Sequence, residues 1–266
     1  RAVVSTPSIK GSVYGSGENG HTYHDAAVAI HSGMVGITDV SIDGGAAYLY
    51  RGNVYGGGCG TDKYYANHAQ ETHDGKGTLY NPTAGIVRGN ATVTIDGGHG
   101  VRNVYGAGAM GSVTGQTTVN ISGKSIIGAD GSGGGYVYAA ARGNDDMEAG
   151  FATVGSTTLN ISGGTVWGSA FGGGQLGTVK GSVAVNVSGG VVKNDVYGGG
   201  ALANTNTDNW NTVGSATTYV SVAGLATETH RVKEMAIGAS VAGLYTYDSG
   251  TSTYVAAAGT AEEGVV

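Results

Sequence analysis

Seven histidines, nineteen carboxylates and a lone cysteine are the side chains with which this chain could carry out acid–base, metal or nucleophilic chemistry. Their spacing argues against all three. His21-x-x-His24-Asp25 and His68…His73-Asp74 each gather donors within a few residues. Neither spacing fits a zinc or calcium pattern, so no metal is expected and these read as solvated loop histidines. Asp145-Asp146 with Glu148 would hold a cation only loosely. A glycosidase needs two carboxylates about 5–10 Å apart, and the repeated strands described below carry almost none. Asp43 and Asp96 precede glycines where Ser122, Ser162 and Ser188 stand in later copies, which is turn-initiating Asp/Ser chemistry. Cys59 takes the slot of Ala109 and Ala201 and reads as a small packing residue; a single thiol excludes an internal disulfide framework. Catalytic residues and cofactors are therefore not expected. The densest group of charged and titratable residues lies in the longest insertion, 59–90. There Asp62, Lys63, His68, Glu71, His73 and Asp74 make a candidate binding loop.

These loops interrupt a repeat. Its fullest copy is SVAVNVSGGVVKNDVYGGG (182–200), an alternating strand followed by an aromatic-glycine corner. The strand half recurs as DVSIDGG (39–45), ATVTIDGG (91–98), TTVNISG (117–123), TTLNISGG (157–164) and TTYVSVAG (217–224). The corner half recurs as VYGSG (13–17), VYGGG (54–58), VYGAG (104–108), VYAAA (137–141) and AFGGG (170–174). One copy cannot bury its own apolar face, so repetition at this period means a stacked or radial body. From corner to corner the last three intervals are 33, 33 and 26 residues (Val104 to Val137, Val137 to Ala170, Ala170 to Val196). Insertions fall mainly between a corner and the next strand, and so are expected to emerge along one edge, with 18–38, 59–90 and 201–214 as its loops. The repeat body spans 1–224; residues 225–266 form a degenerate C-terminal segment with a hairpin signal, LYTYD-SGT-STYVA, in which Asp248-Ser249-Gly250 supplies the turn.

Composition narrows the function classes. Glycine accounts for 53 of 266 residues, without the third-position period of collagen. Charged residues make up 12%, about half the usual share, while the 40% hydrophobic content excludes disorder for want of apolar surface. A weakly charged surface rich in Gly, Thr, Ser and Asn points to an extracellular wall or matrix protein. With a net charge of −6 and no basic cluster, nucleic acid is not an expected partner. No apolar run approaches the roughly 20 residues that span a bilayer. The chain starts at Arg1 with neither an initiator Met nor a signal peptide, which reads as a processed or trimmed chain.

The pattern predicts an all-β fold, a single-stranded parallel β-helix. No segment shows helical i, i+3, i+4 apolar spacing, and a 26-residue unit is too short for a four-stranded propeller blade. Stacking about 4.8 Å apart would pile like residues on like. Period-two parity places a core ladder inward (Ile95, Ile121, Ile161, Val187, Val222) and a polar ladder outward (Thr94, Asn120, Asn160, Asn186, Ser221), suited to side-chain hydrogen bonds between rungs. The corners would align Tyr14, Tyr55, Tyr105, Tyr138, Phe171 and Tyr197 in an aromatic column. That column reads as structural packing rather than as a sugar-stacking platform, because Phe171 dispenses with the hydroxyl. VYAAA shows that the corner positions do not all demand positive φ, so some glycines must relieve crowding between coils.

TTVNISG and TTLNISGG, with the VYGGG corner, resemble the repeats of secreted right-handed β-helix proteins of bacterial surfaces, over roughly residues 39–224. These comprise autotransporter passengers, filamentous-haemagglutinin-type adhesins and Gly-rich surface proteins of gut Bacteroidales. The resemblance implies an extracellular or cell-surface location and a role in adhesion, matrix or fibre formation, with no catalytic residues to carry over. The expected function is thus a non-enzymatic structural subunit. It would polymerise head-to-tail as a homo-oligomer, with 1–13 and 225–266 as docking elements, since uncapped solenoid ends template further pairing. The rival readings are a glycan-binding adhesin module using the loop edge and, behind it, a β-helix polysaccharide lyase or hydrolase.

Overall fold

The computed structural model describes residues 7–36, 52–60, 83–99, 101–129, 133–145, 147, 150–209 and 216–223, together with strands at 229–232, 243–248 and 253–256. In chain order the strands are β1 (Ser8–Ile9), β2 (Val13–Tyr14), β3 (Ala26–Ile30), β4 (Met34–Val35), β5 (Val54–Tyr55), β6 (Ala91–Ile95), β7 (Val104–Tyr105), β8 (Val113–Ile121), β9 (Ile126–Ile127), β10 (Val137–Tyr138), β11 (Val154–Val166), β12 (Ala170–Phe171), β13 (Val183–Val192), β14 (Val196–Tyr197) and β15 (Thr218–Val222). The antiparallel trio β16 (Thr229–Val232), β17 (Gly243–Asp248) and β18 (Thr253–Ala256) follows. The described residues are all-β, with a 3-10 turn at Thr207–Asn209.

Two parallel sheets dominate, and the chain visits them alternately. The two-residue corners form one, in the order β14-β12-β10-β7-β5-β2; the longer strands form the other, β15-β13-β11-β8-β6-β3. Each step along either sheet advances by one repeat in sequence. Narrower parallel ladders lie between the two sheets. One links Val87, Val113, Val154 and Val179. Another links Ile127, Val166 and Val192 through β9, β11 and β13, with Val101 bridging to Ile127. Inward side chains from these faces make the main core, including Val54, Val93, Ile95, Val104, Val119, Ile121, Leu159 and Ile161. Alternation produces this directly: along β6 the burial runs buried, half-buried, buried, half-buried, buried, as a strand with one face to a core requires.

Two kinds of glycine permit the stacking. Gly98, Gly164 and Gly190, where the long strands turn, hold φ of 82°, 78° and 81°, which only glycine adopts cheaply. Gly15, Gly56, Gly106 and Gly172 in the corners lie outside that region; there a Cβ would collide with the carbonyl of Gly56, Gly106, Ala139 and Gly198 respectively. This second group is the crowding relief that the alanine-bearing corner implies. Polar residues also reach inward. Thr117 Oγ1 donates to the Ala139 carbonyl (2.5 Å) and Thr157 Oγ1 to that of Gly172 (2.6 Å). Both bonds tie the long-strand sheet to the corner sheet, and both buried hydroxyls are satisfied.

Three expectations need correction. First, the rung that pairs with Ala91–Ile95 is Ala26–Ile30, with Val28 opposite Val93 and Ile30 opposite Ile95; DVSIDGG (39–45) lies outside the described residues. AAVAIHSG carries the same inward pattern but shows alanine and histidine outside, so likeness of composition passes over it. The stretch 18–38 therefore carries β3 and β4 of the first rung rather than an inserted loop. Second, insertions enter at two places. Thirteen positions separate corner from strand at their shortest (Val104 to Thr117, Ala170 to Val183), and thirteen separate strand from corner (Ala91 to Val104, Val183 to Val196). The segment 61–82 enlarges the first interval, whereas 37–51 enlarges the second, between β4 and β5. Third, Val222 stands in register with Val187 but is 42% exposed, and Val187 is only partly buried, because the core thins at the last rung. The hairpin signal falls where β17 and β18 pair, Asp248 opposite Thr253.

Candidate functional site

The corner sheet places Tyr14, Tyr55, Tyr105, Tyr138, Phe171 and Tyr197 in consecutive register. Within each Val-Tyr or Ala-Phe pair the first residue faces the main core, so the ring must project to the opposite side. Neighbouring rings stack nearly parallel, with centroids 4.7–5.0 Å apart and planes within 8–12°. The spacing matches the distance between adjacent strands, so the backbone ladder itself imposes face-to-face rings. The inner members are buried with Ala109 in a cluster of their own, and Tyr136 packs against it. Only the two ends are open: Tyr14 is 37% and Tyr197 45% exposed.

Hydroxyl chemistry along the column follows burial. The Tyr105 hydroxyl donates to Gln175 Oε1 at 2.8 Å. Burial pushes the phenols of Tyr14, Tyr55 and Tyr105 upward, and that of Tyr138 to about 12; at Tyr55 the Arg142 guanidinium pulls the other way. Tyr197 is raised by donating its hydroxyl to Asp195 Oδ2 at 3.0 Å. Burial likewise pushes the Cys59 thiol up, against the hydrogen bond from Tyr14. A phenol or thiol held in its neutral form is a poor nucleophile, and the stacked faces of the inner rings are closed to a sugar. This surface is built for packing.

The outward polar ladder runs Thr94, Asn120, Asn160, Asn186, Ser221 in unbroken register. Asn186 Nδ2 donates to Asn160 Oδ1 and Asn160 Nδ2 to Asn120 Oδ1, both at 2.9 Å. The amides thus satisfy one another along the stack, and each is half-buried. Among the core ladder, Ile95, Ile121 and Ile161 are fully buried.

Asp62, Lys63, His68, Glu71, His73 and Asp74 lie outside the described residues, as do Asp43, Asp146 and Glu148. Among the described residues no three His, Cys, Asp or Glu side chains converge on a possible metal position, and no helix is long and apolar enough to cross a membrane. One pairing escaped sequence reading. His31 Nδ1 meets Asp96 Oδ1 at 2.9 Å, both exposed, because His31 follows β3 as Asp96 follows β6. The signal was AAVAIHSG aligned under ATVTIDGG, an alignment hidden once 39–45 stands as the first rung. Gln175 and Arg142, which address the tyrosine hydroxyls, occupy the slot of Cys59 and Ala109 one position past the corner; their differing residue types conceal the common position. Comparison of the chain with family models, curated proteins and solved structures finds no match in any of the three.

Proposed function

We propose that this chain is a non-catalytic structural subunit, a right-handed parallel β-solenoid that assembles head-to-tail into a fibre or matrix outside a bacterial cell. The observation that carries this reading is the pair of six-stranded parallel sheets whose terminal members, β2 and β3 at one end and β14 and β15 at the other, are, among the described residues, edge strands of their ladders. Edge strands template further pairing, and a head-to-tail contact does not close on itself. The open ring faces of Tyr14 and Tyr197 and the 42% exposure of Val220 and Val222 leave apolar surface at those edges. A role in recognition through the column is disfavoured by its closed inner rings. Low charge and Gly/Thr/Ser/Asn-rich composition support the extracellular setting, as does the resemblance to bacterial surface repeat proteins.

Electron microscopy and light scattering of concentrated protein test the reading. Fibres or sheets are expected, and Val220→Lys is expected to suppress them, since an ammonium would have to be buried at the junction. A protein that stays monomeric at high concentration overturns the proposal; glycan binding by that monomer would instead favour an adhesin.

A further inference from the structure

The two ends of the paired sheets are out of step by half a repeat. At the β2 end the first member is a corner, Val13–Tyr14, and the strand Ala26–Ile30 follows it; at the other end the last member is a strand, Thr218–Val222, which follows the corner Val196–Tyr197. A long strand packs against the corners of its own repeat and of the next. Gly15 lies against Val28, Gly56 against Val93 and Gly106 against Val119, each within one repeat, while the Thr117 and Thr157 hydroxyls bond to Ala139 and Gly172 in the corner after their own strand. Val28 has corners on both sides and is 8% exposed; among the described residues its counterpart Val220 has only the earlier corner, Val196–Tyr197, and it is 42% exposed. Among the described residues no Val-Tyr-Gly corner follows Val220 and Val222. A second copy of this chain begins its sheets with one.

Resting on the solenoid assembly proposed above, we infer that the junction keeps the internal register: the Val13–Gly15 corner of one copy seats over β14 and β15 of another, stacking Tyr14 on Tyr197. Ala26 then pairs with Thr218, Val28 with Val220 and Ile30 with Val222, as Ala91 pairs with Thr117, Val93 with Val119 and Ile95 with Ile121 within the chain. The outward positions fit as well: Tyr219, 57% exposed, comes over the small Ala27, and Ser221 over Ala29. The aromatic column becomes continuous from copy to copy.

Phe171 makes this testable. Within one copy the ring stacked on Tyr197 is a phenylalanine, so its described stacking neighbour cannot form dityrosine with it; in the junction its new neighbour is Tyr14. Coupling joins two phenoxyl radicals through a ring C–C bond, each tyrosine giving up one electron and one proton to a one-electron oxidant. Photo-oxidation with a ruthenium complex and persulfate, followed by tryptic mass spectrometry, should yield an intermolecular Tyr14–Tyr197 peptide in assembled material and none in dilute monomer. Tyr197→Phe should retain fibres and lose that peptide, whereas Tyr197→Lys should lower the assembled fraction at least tenfold. Fibres in which Tyr197 stays uncoupled, or couples to a tyrosine other than Tyr14, would overturn the register while leaving assembly intact. Absence of any assembly would overturn both.

Discussion

At the scale of single residues, the stacked rings and the amide ladder act through identity of neighbours. Each aromatic pair contributes about 0.5–1.5 kcal/mol beyond its burial, and an inner ring stacks on two others. Tyr138→Ala should therefore destabilise the fold by about 3–5 kcal/mol, measured by chemical denaturation, while Tyr105→Phe, which keeps the ring and loses the hydroxyl's bond to Gln175, should lose about 1 kcal/mol. Asn160→Ala breaks both amide bonds of its rung and should fall between them. The exposed His31–Asp96 pair should contribute at most about 1 kcal/mol. Alkaline titration reads the column directly. An unfolded phenol ionises near 10.0, whereas buried Tyr138 holds its proton to about 12. Above pH 10 the unfolded chain thus releases protons that the folded chain keeps, so stability is full below about pH 10 and falls between about 10 and 12. Absorbance at 295 nm, followed alongside circular dichroism, should show the buried phenols ionising together with that unfolding.

At the scale of elements, register is set by half repeats that are thirteen residues long at their shortest. The shortest unit, Ala170 to Asp195, begins at one corner and ends immediately before the next. Excising it joins Ser169 to Val196 and should leave a folded chain one rung shorter. Excising 170–196 shifts the following residues by one, turning inward side chains outward, and should abolish cooperative unfolding seen by circular dichroism. Gly56→Ala makes a related point at one corner: its Cβ would collide with the Gly106 backbone, so a loss of about 1–3 kcal/mol is expected, whereas Ala139→Gly at the equivalent corner position introduces no clash. The strand, corner and turn glycines were legible in sequence because each repeats its residue type. The rung at 26–30 was not, because a buried position specifies an apolar side chain but leaves its outward neighbours free to be alanine or histidine.

At the scale of the whole molecule, stacking removes apolar surface from water only where a further rung follows. The half-repeat offset leaves Val220 and Val222 short of one corner, and the proposed junction supplies it. If so, thermal stability should rise with protein concentration for the wild type and become independent of it for Val220→Lys, as expected when association is linked to folding; scanning calorimetry over a wide dilution series checks this.

The amino-acid sequence by itself determined the period, the inward and outward faces, and the alignment of six aromatic residues, since each follows from local alternation and from like residues recurring at like positions. Which segment opens the long-strand sheet, where insertions enter, which amide and guanidinium address the tyrosine hydroxyls, and how unequally the two ends are buried were decided only by the tertiary structure. Those properties depend on what lies one rung away, a neighbour distant along the chain and different in residue type from one repeat to the next.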